Sequence, residues 1–311
     1  MQGPRISVVL PTYNRMRTLP RAVASVLAQD MAAFELIVVD DGSTDGTATW
    51  LGTQTDSRIR TIAPGRNQGV SIARNLGIAA ATTPLVAFLD SDDLFRPNRL
   101  SAPLRVFEAE PDIVFTLSSA QKQSRAGSHV ARLPDVKLAG SALEWALVCD
   151  LVGVESSSIT ARTQSLRAAG GFCATLSRAE DRELLIRLAP QGAARFLSDV
   201  LWEKSWLDDS LSNERHGAGR DLIAYAMQRP EYAGKYRKAG NYFATRILLS
   251  DVKRGHWRTF AENLRAFRNA RLLHGGFCQV LCDYRDVRAH RRAFNNSPLL
   301  SELKGPPEKW S

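Results

Sequence analysis

The stretch "VAFLDSDDLF", residues 86–95, places three carboxylates directly behind an apolar run. Such a run is typical of a β-strand that is buried on both faces of an α/β sheet. Asp90, Asp92 and Asp93 would lie together where the strand ends, and like charges repel most strongly where water is partly excluded. Ligands bind at the carboxyl ends of the strands in such sheets. The stretch therefore predicts an α/β fold and a positively charged ligand.

The residues before this stretch alternate regularly between strand and helix patterns. Apolar runs rich in β-branched residues at 5–11, at 58–63 and at the start of 34–47 predict strands. Apolar residues at helical spacing over 18–29 and 69–81 predict helices between them. Strands that alternate with amphipathic helices indicate a parallel sheet covered on both faces, joined by right-handed crossovers.

The pattern is less regular after residue 100. The stretches 112–117 and 156–162 predict strands, and 179–189 predicts a helix with one apolar side. From about residue 216 the pattern is helical. We therefore expect an α/β domain over 1–215 and a basic helical region over 216–311 that ends in a loosely held tail.

Composition and charge narrow the class of protein. Of the 311 residues, 44% are hydrophobic and 23% are charged, which is usual for a globular chain. No apolar run approaches the roughly 20 residues that a membrane-spanning helix needs. The four cysteines form no Cys-x-x-Cys pair and we find no signal peptide, so we expect a cytoplasmic location. The net charge is +9, and residues 253–292 hold ten Lys and Arg against three acidic residues, or +7.

Three polar clusters follow predicted strands. They are "PTYNR" (11–15), "DDGSTD" (40–45) and "DSDD" (90–93). Magnesium and manganese prefer oxygen ligands and often share one or two carboxylates with substrate phosphates, so the third cluster predicts a divalent-metal site. Strand alternation would direct Asp90 and Asp92 to one side and Asp93 to the other. The alternative is a helix N-cap, which would explain one of the three aspartates.

The second cluster also has two interpretations. Asp41-Gly42 alone is an ordinary turn sequence, and Ser43 or Thr44 would be an ordinary cap before the next helix. The functional alternative gives Asp41 a hydrogen bond to a nucleotide base and Asp40 a structural or ribose contact. Gly42 would then let the backbone approach the ligand closely.

Five motifs occur in an order that resembles a known family. They are "SVVLPTYNR", "ELIVVDDGSTDGT", "NQGVSIARNLGI", "VAFLDSDDLFRPNRL" and "GGFCATLSRAEDRELLIRLA". Together they resemble the family 2 glycosyltransferases, the large inverting group with the GT-A fold, over roughly residues 5 to 206. The resemblance implies a Rossmann-like, nucleotide-sugar-binding mixed sheet flanked by helices, with residues 1–215 as the catalytic domain.

The resemblance also implies a nucleotide-sugar donor, a Mn or Mg ion held through an Asp-x-Asp motif, and inversion at the anomeric carbon. Residues placed around the nucleotide by motif position are Pro11, Thr12, Tyr13, Asp41, Asn67 and Arg74. For Asn67 and Arg74 a loop turn and a helix surface charge remain equal alternatives. Asp92 and Asp93 would bind ribose and metal with support from Asp90, and the run offers two overlapping registers for the metal ligand.

The same resemblance assigns a general base. An acceptor hydroxyl is a poor nucleophile, so a carboxylate must accept its proton as the new bond forms. Motif position gives this role to Asp181, with Glu180 as second choice. The alternative is a helix N-terminus enriched in acids, which interact favourably with the helix dipole.

Donor and acceptor follow from the family rather than from individual residues. UDP is the default nucleotide, and the acceptor would be a glycan or a polyprenyl-linked sugar. The Gln-x-x-Arg-Trp motif of processive relatives is absent, which favours single additions. The alternatives are a sugar-1-phosphate nucleotidylyltransferase, disfavoured because no Gly-rich basic loop follows the first strand, and a non-catalytic nucleotide-sugar-binding subunit. A dinucleotide-dependent oxidoreductase is disfavoured because no G-x-G-x-x-G motif follows the first strand.

The basic C-terminal segment has several possible roles. Packing or a homodimer through Trp257, Phe260 and Phe267 ranks first. Peripheral contact with the inner face of an anionic membrane ranks second, because basic groups near aromatic residues suit that surface. Nucleic acid ranks last, since the segment shows no recognised reading motif.

Overall fold

A computed structural model of the chain describes residues 3–125, 127–148, 151–176, 178–206, 237–269, 272–273 and 275–296. The chain divides into two compact units. The first comprises Met1–Gly140, Val154–Ala174 and Glu180–Asp208, and the second comprises Ser141–Gly153, Thr175–Ala179 and Asp209–Ser311. The domain boundary expected at residue 215 and the tail beyond 296 lie outside the described residues.

The elements are numbered in chain order. The strands are β1 (Ile6–Thr12), β2 (Phe34–Asp40), β3 (Ile59–Ile62), β4 (Leu85–Phe88), β5 (Leu94–Phe95), β6 (Ile113–Ser124), β7 (Gly127–Ala131), β8 (Val136–Leu138), β9 (Thr160–Arg162) and β10 (Ala193–Lys204). The helices are α1 (Leu19–Leu27), α2 (Thr47–Gly52), α3 (Val70–Ala80), α4 (Ser101–Ala109), α5 (Gly140–Val148), α6 (Thr163–Ala168), α7 (Glu180–Leu188), α8 (Arg237–Lys253), α9 (Trp257–Asn269) and α10 (Phe277–Asn296). Single 3-10 turns lie at Ser156–Ser158 and Ala189–Gln191.

The strands form one mixed sheet in the order β3-β2-β1-β4-β9-β6-β10-β5, with β7 beside β6 and β8 beside β10. Strands β1 to β4 run parallel to one another. Strand β9 is antiparallel to both β4 and β6, and β10 is parallel to β6. The carboxyl ends of β1, β2, β4, β6 and β10 therefore share one edge of the sheet, which we name the carboxyl edge.

The α/β fold class with a mixed sheet and C-terminal helices is confirmed, with one local error. The strand predicted over 156–162 is wrong in its first half, because Ser156–Ser158 form a 3-10 turn and β9 begins at Thr160. The Ser158 hydroxyl donates to the Glu155 carbonyl oxygen at 2.7 Å. Such local bonds from serine to the backbone compete with strand pairing.

Helix α3 packs directly on the centre of the sheet. A Cβ atom on Gly77 would come within 2.3 Å of Cγ1 of Val9 on β1, so glycine is required for this close approach. The neighbouring turn of the same helix carries Arg74, of which only 3% is exposed. The close packing of α3 therefore brings a charged side chain into the interior beside the carboxyl edge.

The second unit is built around helices α8 and α10. Asn241 Nδ2 donates to Oδ2 of the buried Asp283 at 2.6 Å, and Gln279 Nε2 donates to Oδ1 of the same carboxylate at 2.8 Å. The rings of Tyr242 and Tyr284 stack with centroids 5.5 Å apart. Among the residues that the structure describes, no helix combines the length and apolar character needed to cross a membrane.

Candidate active site

The three aspartates after β4 lie in a turn. The Asp93 N–H donates to the Asp90 carbonyl oxygen at 3.0 Å, which closes the turn. These residues therefore lie beyond the strand on which the expected alternation of side chains depended. Asp90 Oδ1 accepts from Arg74 Nη2 at 2.7 Å, and Asp93 Oδ2 accepts from the Ser157 hydroxyl at 2.6 Å. The helix-cap alternative is wrong, because β5 follows the turn directly and α4 begins only later.

Burial and mutual repulsion make these carboxylates hard to ionise together. Burial, followed by the charges of Asp90 and Asp92, raises the pKa of Asp93 well above its usual value. Burial and the Asp90 charge also raise the pKa of Asp92, although Arg15 and Lys204 oppose the shift. Carboxylates in this state gain stability from a nearby cation. The turn therefore provides a site at which additional positive charge is favourable.

Arg74 links this turn to the first turn of α7. Its Nη2 donates to Asp90 Oδ1 at 2.7 Å, and its Nη1 donates to Glu180 Oε1 at 2.8 Å. Its guanidinium lies over the Phe172 ring, 5.1 Å from the centroid. Burial opposes the charge, but the two carboxylates raise the pKa of Arg74 above its usual value. The alternative of a helix surface charge is wrong, because this arginine is buried and shared between two acids.

Asp181 lies beside that link, half-buried in the first turn of α7. Its Oδ1 accepts the Arg182 N–H at 2.7 Å. Burial first, and then the Glu180 charge, raise the pKa of Asp181 to about 7, although Arg182 and Arg74 lower it in part. Glu180 is bound to Arg74, so Asp181 is the member of the pair better suited to accept a proton near neutral pH.

The loops after β1 and β2 are joined by side-chain hydrogen bonds. Asn14 adopts a positive φ of 51°, and its Oδ1 accepts the Thr44 N–H at 2.7 Å. The Asn14 N–H in turn donates to the Ser43 hydroxyl at 2.9 Å. Between these loops Thr12 is only 3% exposed, and its hydroxyl has no hydrogen-bond partner in the part of the chain that the structure describes.

Asp41 binds the start of α3. Its carboxylate accepts the Gln68 N–H at 2.9 and 3.1 Å and the Gly69 N–H at 2.7 Å. Gly42 has a φ of +83°, and a Cβ there would lie 2.8 Å from the backbone of Asn67. The β2 loop is thus fixed against the loop before α3. A contact from Asp41 to a base would use the lone pairs that these amides leave available.

Residues 7–150 match the family model described as Glycosyl transferase family 2. Residues 7–150 form a family 2 glycosyltransferase domain. This identification confirms the resemblance over the part of the chain that contains the first four of the five motifs. The match covers the carboxylate turn and the β1 and β2 loops, whereas Asp181 lies beyond it.

Curated proteins are similar to part of this chain. The succinoglycan biosynthesis protein ExoO of Rhizobium meliloti is 37% identical over 43% of this chain and 41% of its own length. The UDP-Glc:alpha-D-GlcNAc-diphosphoundecaprenol beta-1,3-glucosyltransferase WfgD of Escherichia coli is 38% identical over 30% of this chain and 38% of its own length. The matched stretches span between 20% and 50% of the curated relatives' length.

Solved structures are similar to this chain in fold. S. aureus TarS 1-349 in complex with UDP-GlcNAc has a TM-score of 0.66 at 18% identity, covering 93% of this chain and 91% of that one. The mannosyltransferase PcManGT from Pyrobaculum calidifontis, in complex with GDP-Man and Mn2+, has a TM-score of 0.58 at 17% identity, covering 97% and 89%. At these identities the likeness shows the GT-A fold alone.

The structure brings most of the predicted site residues to the carboxyl edge. Pro11 is buried at the end of β1, and Tyr13 follows it with 43% of its surface exposed. Asn67 is exposed in the loop before α3. The acids after β4 and at the start of α7 are joined through Arg74, as described above. The roles given to these residues by the family resemblance remain predictions.

Several residues that support the site carry no signal in the sequence. The Ser157 hydroxyl donates to Asp93 and also accepts the Asp90 N–H at 3.1 Å. The fully buried Arg99 holds this segment by donating to the Ser157 carbonyl oxygen at 3.0 and 3.1 Å and to the Thr160 hydroxyl at 2.7 Å. Burial lowers the pKa of Arg99 to about 9. No charge pattern around residues 156–160 indicates this connection.

Lysines on two neighbouring strands border the same acids. Lys204 on β10 pairs in register with Lys122 on β6, and the two Nζ atoms contact opposite oxygens of Glu155, each at 2.9 Å. Burial opposes the charge of Lys204, but Glu155 first, and then Asp93 and Asp90, raise the pKa of this lysine above its usual value. A positive side chain therefore borders the carboxylate turn from the side of β10.

The carboxylate turn offers the oxygen ligands that magnesium and manganese prefer. Within the described residues, no three His, Cys, Asp or Glu side chains are grouped as a preformed metal site. Magnesium and manganese do not require one, since they commonly bind one or two carboxylates together with substrate phosphates and water. The oxygen donors and mutual repulsion of Asp92 and Asp93 fit that mode of binding.

Proposed function

We propose that the protein is an inverting, metal-dependent glycosyltransferase. It would move a sugar from a nucleoside diphosphate to a hydroxyl group of a glycan or a polyprenyl-diphosphate-linked acceptor. The observation that carries this proposal is the Arg74 bridge, which connects a carboxylate turn suited to a metal with a helix whose Asp181 has a pKa of about 7. The matched family favours this reaction over nucleotidyl transfer.

In the proposed reaction the acceptor oxygen forms a bond to the anomeric carbon. The bond from that carbon to the diphosphate oxygen breaks on the opposite face, so the configuration inverts. The proton of the acceptor hydroxyl passes to Asp181, and the nucleoside diphosphate leaves with the electron pair. A base with a pKa of about 7 is well matched to this transfer near neutral pH.

Asp92 and Asp93 would hold a Mn or Mg ion, with Asp90 oriented by Arg74 in support. The metal, when bound, supplies positive charge for the leaving diphosphate. Ser157 keeps the Asp93 carboxylate in place. The buried hydroxyl of Thr12, which has no hydrogen-bond partner among the described residues, suits a hydrogen bond to the nucleotide.

The nucleotide pocket would be lined by Pro11, Thr12, Tyr13, Asp41 and Asn67 on the β1, β2 and α3 loops. The names of the TarS complex and of WfgD support UDP as the donor nucleotide, and that of WfgD supports a lipid-linked acceptor. The PcManGT complex contains GDP-Man, so GDP is also a candidate donor nucleotide to be tested.

Calorimetric titration tests the donor site. UDP, GDP and dTDP are each titrated with Mn2+ and again with a chelator. We expect micromolar affinity for one nucleotide only when the metal is present, and loss of that affinity in the double variant Asp92→Ala/Asp93→Ala. Affinity that is unchanged by the chelator would overturn the metal assignment.

Release of nucleoside diphosphate from a panel of nucleotide sugars tests the base. Asp181→Asn should bind the nucleotide and metal like the wild type and lose turnover. Asp199→Asn, an exposed acid on β10, serves as the matched control and should keep both. Turnover retained by Asp181→Asn would contradict the role of Asp181 as general base. A wild-type protein that binds nucleotide but releases no diphosphate would favour the alternative of a non-catalytic nucleotide-sugar-binding subunit.

A further inference from the structure

The turn that joins α8 and α9, residues 249–258, exposes large apolar side chains. Trp257 is 64% exposed, Leu249 is 38% exposed and Val252 is 36% exposed. All three lie within nine residues of chain, around one reversal of direction. We name residues 249–258 the basic tip.

The basic tip has a fixed backbone. The His256 N–H donates to the Asp251 carbonyl oxygen, and the Gly255 N–H donates to the Val252 carbonyl oxygen, both at 3.0 Å. With Gly255 at a φ of 70°, this pair of bonds is a Schellman motif that ends α8. Asn263 Nδ2 donates to Asp251 Oδ2 at 2.9 Å and holds α9 against α8. The exposed side chains are therefore presented by a preformed turn.

Cations surround the apolar side chains of the basic tip. Lys253 and Arg254 are exposed, and the Arg258 side chain is 93% exposed, with a contact of 3.1 Å to Glu262. The acid of the tip, Asp251, is bonded to Asn263. The tip thus combines a tryptophan with a rim of positive charge, the pattern that is typical of residues at a membrane interface.

We propose that the basic tip docks on the surface of an anionic lipid bilayer. Trp257 would enter the headgroup region, and Lys253, Arg254 and Arg258 would contact the anionic headgroups. A second copy of the chain fits less well, because two such tips would bring like charges together. Nucleic acid would use the cations and leave Leu249 and Val252 in water. The proposal is independent of sugar transfer, since docking is measured without donor or acceptor.

Co-sedimentation with vesicles tests the docking surface in the full chain. Vesicles of pure phosphatidylcholine are compared with vesicles of equal parts phosphatidylcholine and phosphatidylglycerol at low salt. The variants are Lys253→Gln/Arg254→Gln and Trp257→Ala. The matched control is Arg21→Gln/Arg105→Gln, which removes two exposed charges from α1 and α4.

We expect binding only to the anionic vesicles. Each basic group contributes about 1 kcal/mol near such a surface, so the Lys253→Gln/Arg254→Gln variant should bind about 30-fold more weakly. Trp257→Ala should bind about tenfold more weakly, because a half-buried indole contributes on the order of 1.4 kcal/mol. The control variant should bind within about threefold of the wild type, because the charges that it removes are not part of the basic tip.

Three results would overturn the proposal. One is equal binding to both kinds of vesicle, or to neither. Another is equal losses in the tip variants and in the control variant, which would make the effect one of total charge. The third is a concentration-dependent dimer in sedimentation velocity that Trp257→Ala abolishes while vesicle binding stays unchanged, which would assign the tip to a second copy of the chain.

Discussion

Replacing Asp181 by asparagine should make the folded protein more stable, and the gain should grow with pH. The folded structure raises the pKa of this carboxyl from 3.8 to about 7, mainly through burial and then through the Glu180 charge. Below pH 4 the side chain is protonated in both the folded and the unfolded state, so it has no effect on stability. Between pH 4 and 7 the unfolded state loses the proton first, and the wild type loses stability as pH rises. Asparagine does not titrate, so the variant does not lose stability in this way as pH rises.

The magnitude follows from the two pKa values. A rise from 3.8 to about 7 corresponds to about 4 kcal/mol when the pH exceeds both values. Water that reaches the half-buried side chain reduces the effect. We therefore expect the stability advantage of Asp181→Asn over the wild type to be about 2 kcal/mol larger at pH 8.5 than at pH 4.5. Asparagine keeps the Oδ1 acceptor for the Arg182 N–H, so the first turn of α7 should remain intact.

Urea unfolding of the wild type and of Asp181→Asn at pH 4.5, 6.5 and 8.5 measures this difference. Asp199→Asn is the control, because that acid is exposed on β10 and its replacement should change stability equally at all three pH values. A gap between Asp181→Asn and the wild type that stays constant with pH would refute the reasoning. A variant that is less stable than the wild type at pH 8.5 would refute it more directly.

Three further substitutions test the site. Arg74→Met should lower the free energy of unfolding by about 3–5 kcal/mol in urea denaturation, because both carboxylates that it bridges lose their buried counter-charge; a loss below 1 kcal/mol would contradict the bridge. Ser157→Ala should weaken Mn2+-dependent nucleotide binding about tenfold in calorimetry by releasing Asp93, as is usual for residues behind metal ligands; unchanged affinity would contradict this role. Glu180→Gln should move the acidic limb of the pH–rate profile to lower pH, because the pKa of Asp181 falls when the neighbouring negative charge is removed; an unmoved limb would contradict the assignment of Asp181.

Most of the first third of the fold could be predicted from sequence because β1, β2 and β4 are almost wholly buried and α1 and α3 each bury one face. The stretch 69–81 gave α3 to within one residue at each end. The start and the antiparallel direction of β9 could not be predicted, because the strand has only three residues and follows buried serines whose sequence resembles a continuation of it. Short central strands take their direction from their neighbours, and their own sequence contains no information on it.

The residues of the candidate site could likewise be predicted from sequence only in part. The carboxylates were visible because charged residues rarely follow a buried strand without a function. The partners that orient them were not, since Arg74 and Glu180 are 106 residues apart and Ser157 is 64 residues from Asp93. Serine and arginine also occur on any protein surface, so only the tertiary structure distinguishes the ones that are buried against an acid.

The charges around the site explain why a cation should accompany the donor. Five carboxylates take part in the electrostatic interactions of the candidate site: Asp90, Asp92, Asp93, Glu180 and Asp181. The positive side chains that interact with them are Arg74, Arg182, Lys204 and Arg15. Despite these positive charges, burial and the repulsion between neighbouring acids raise the pKa values of Asp92, Asp93 and Asp181, so the site resists full ionisation. A nucleoside diphosphate would add further negative charge and be repelled. A divalent ion would offset this negative charge, so we expect the nucleotide to bind strongly only together with the ion.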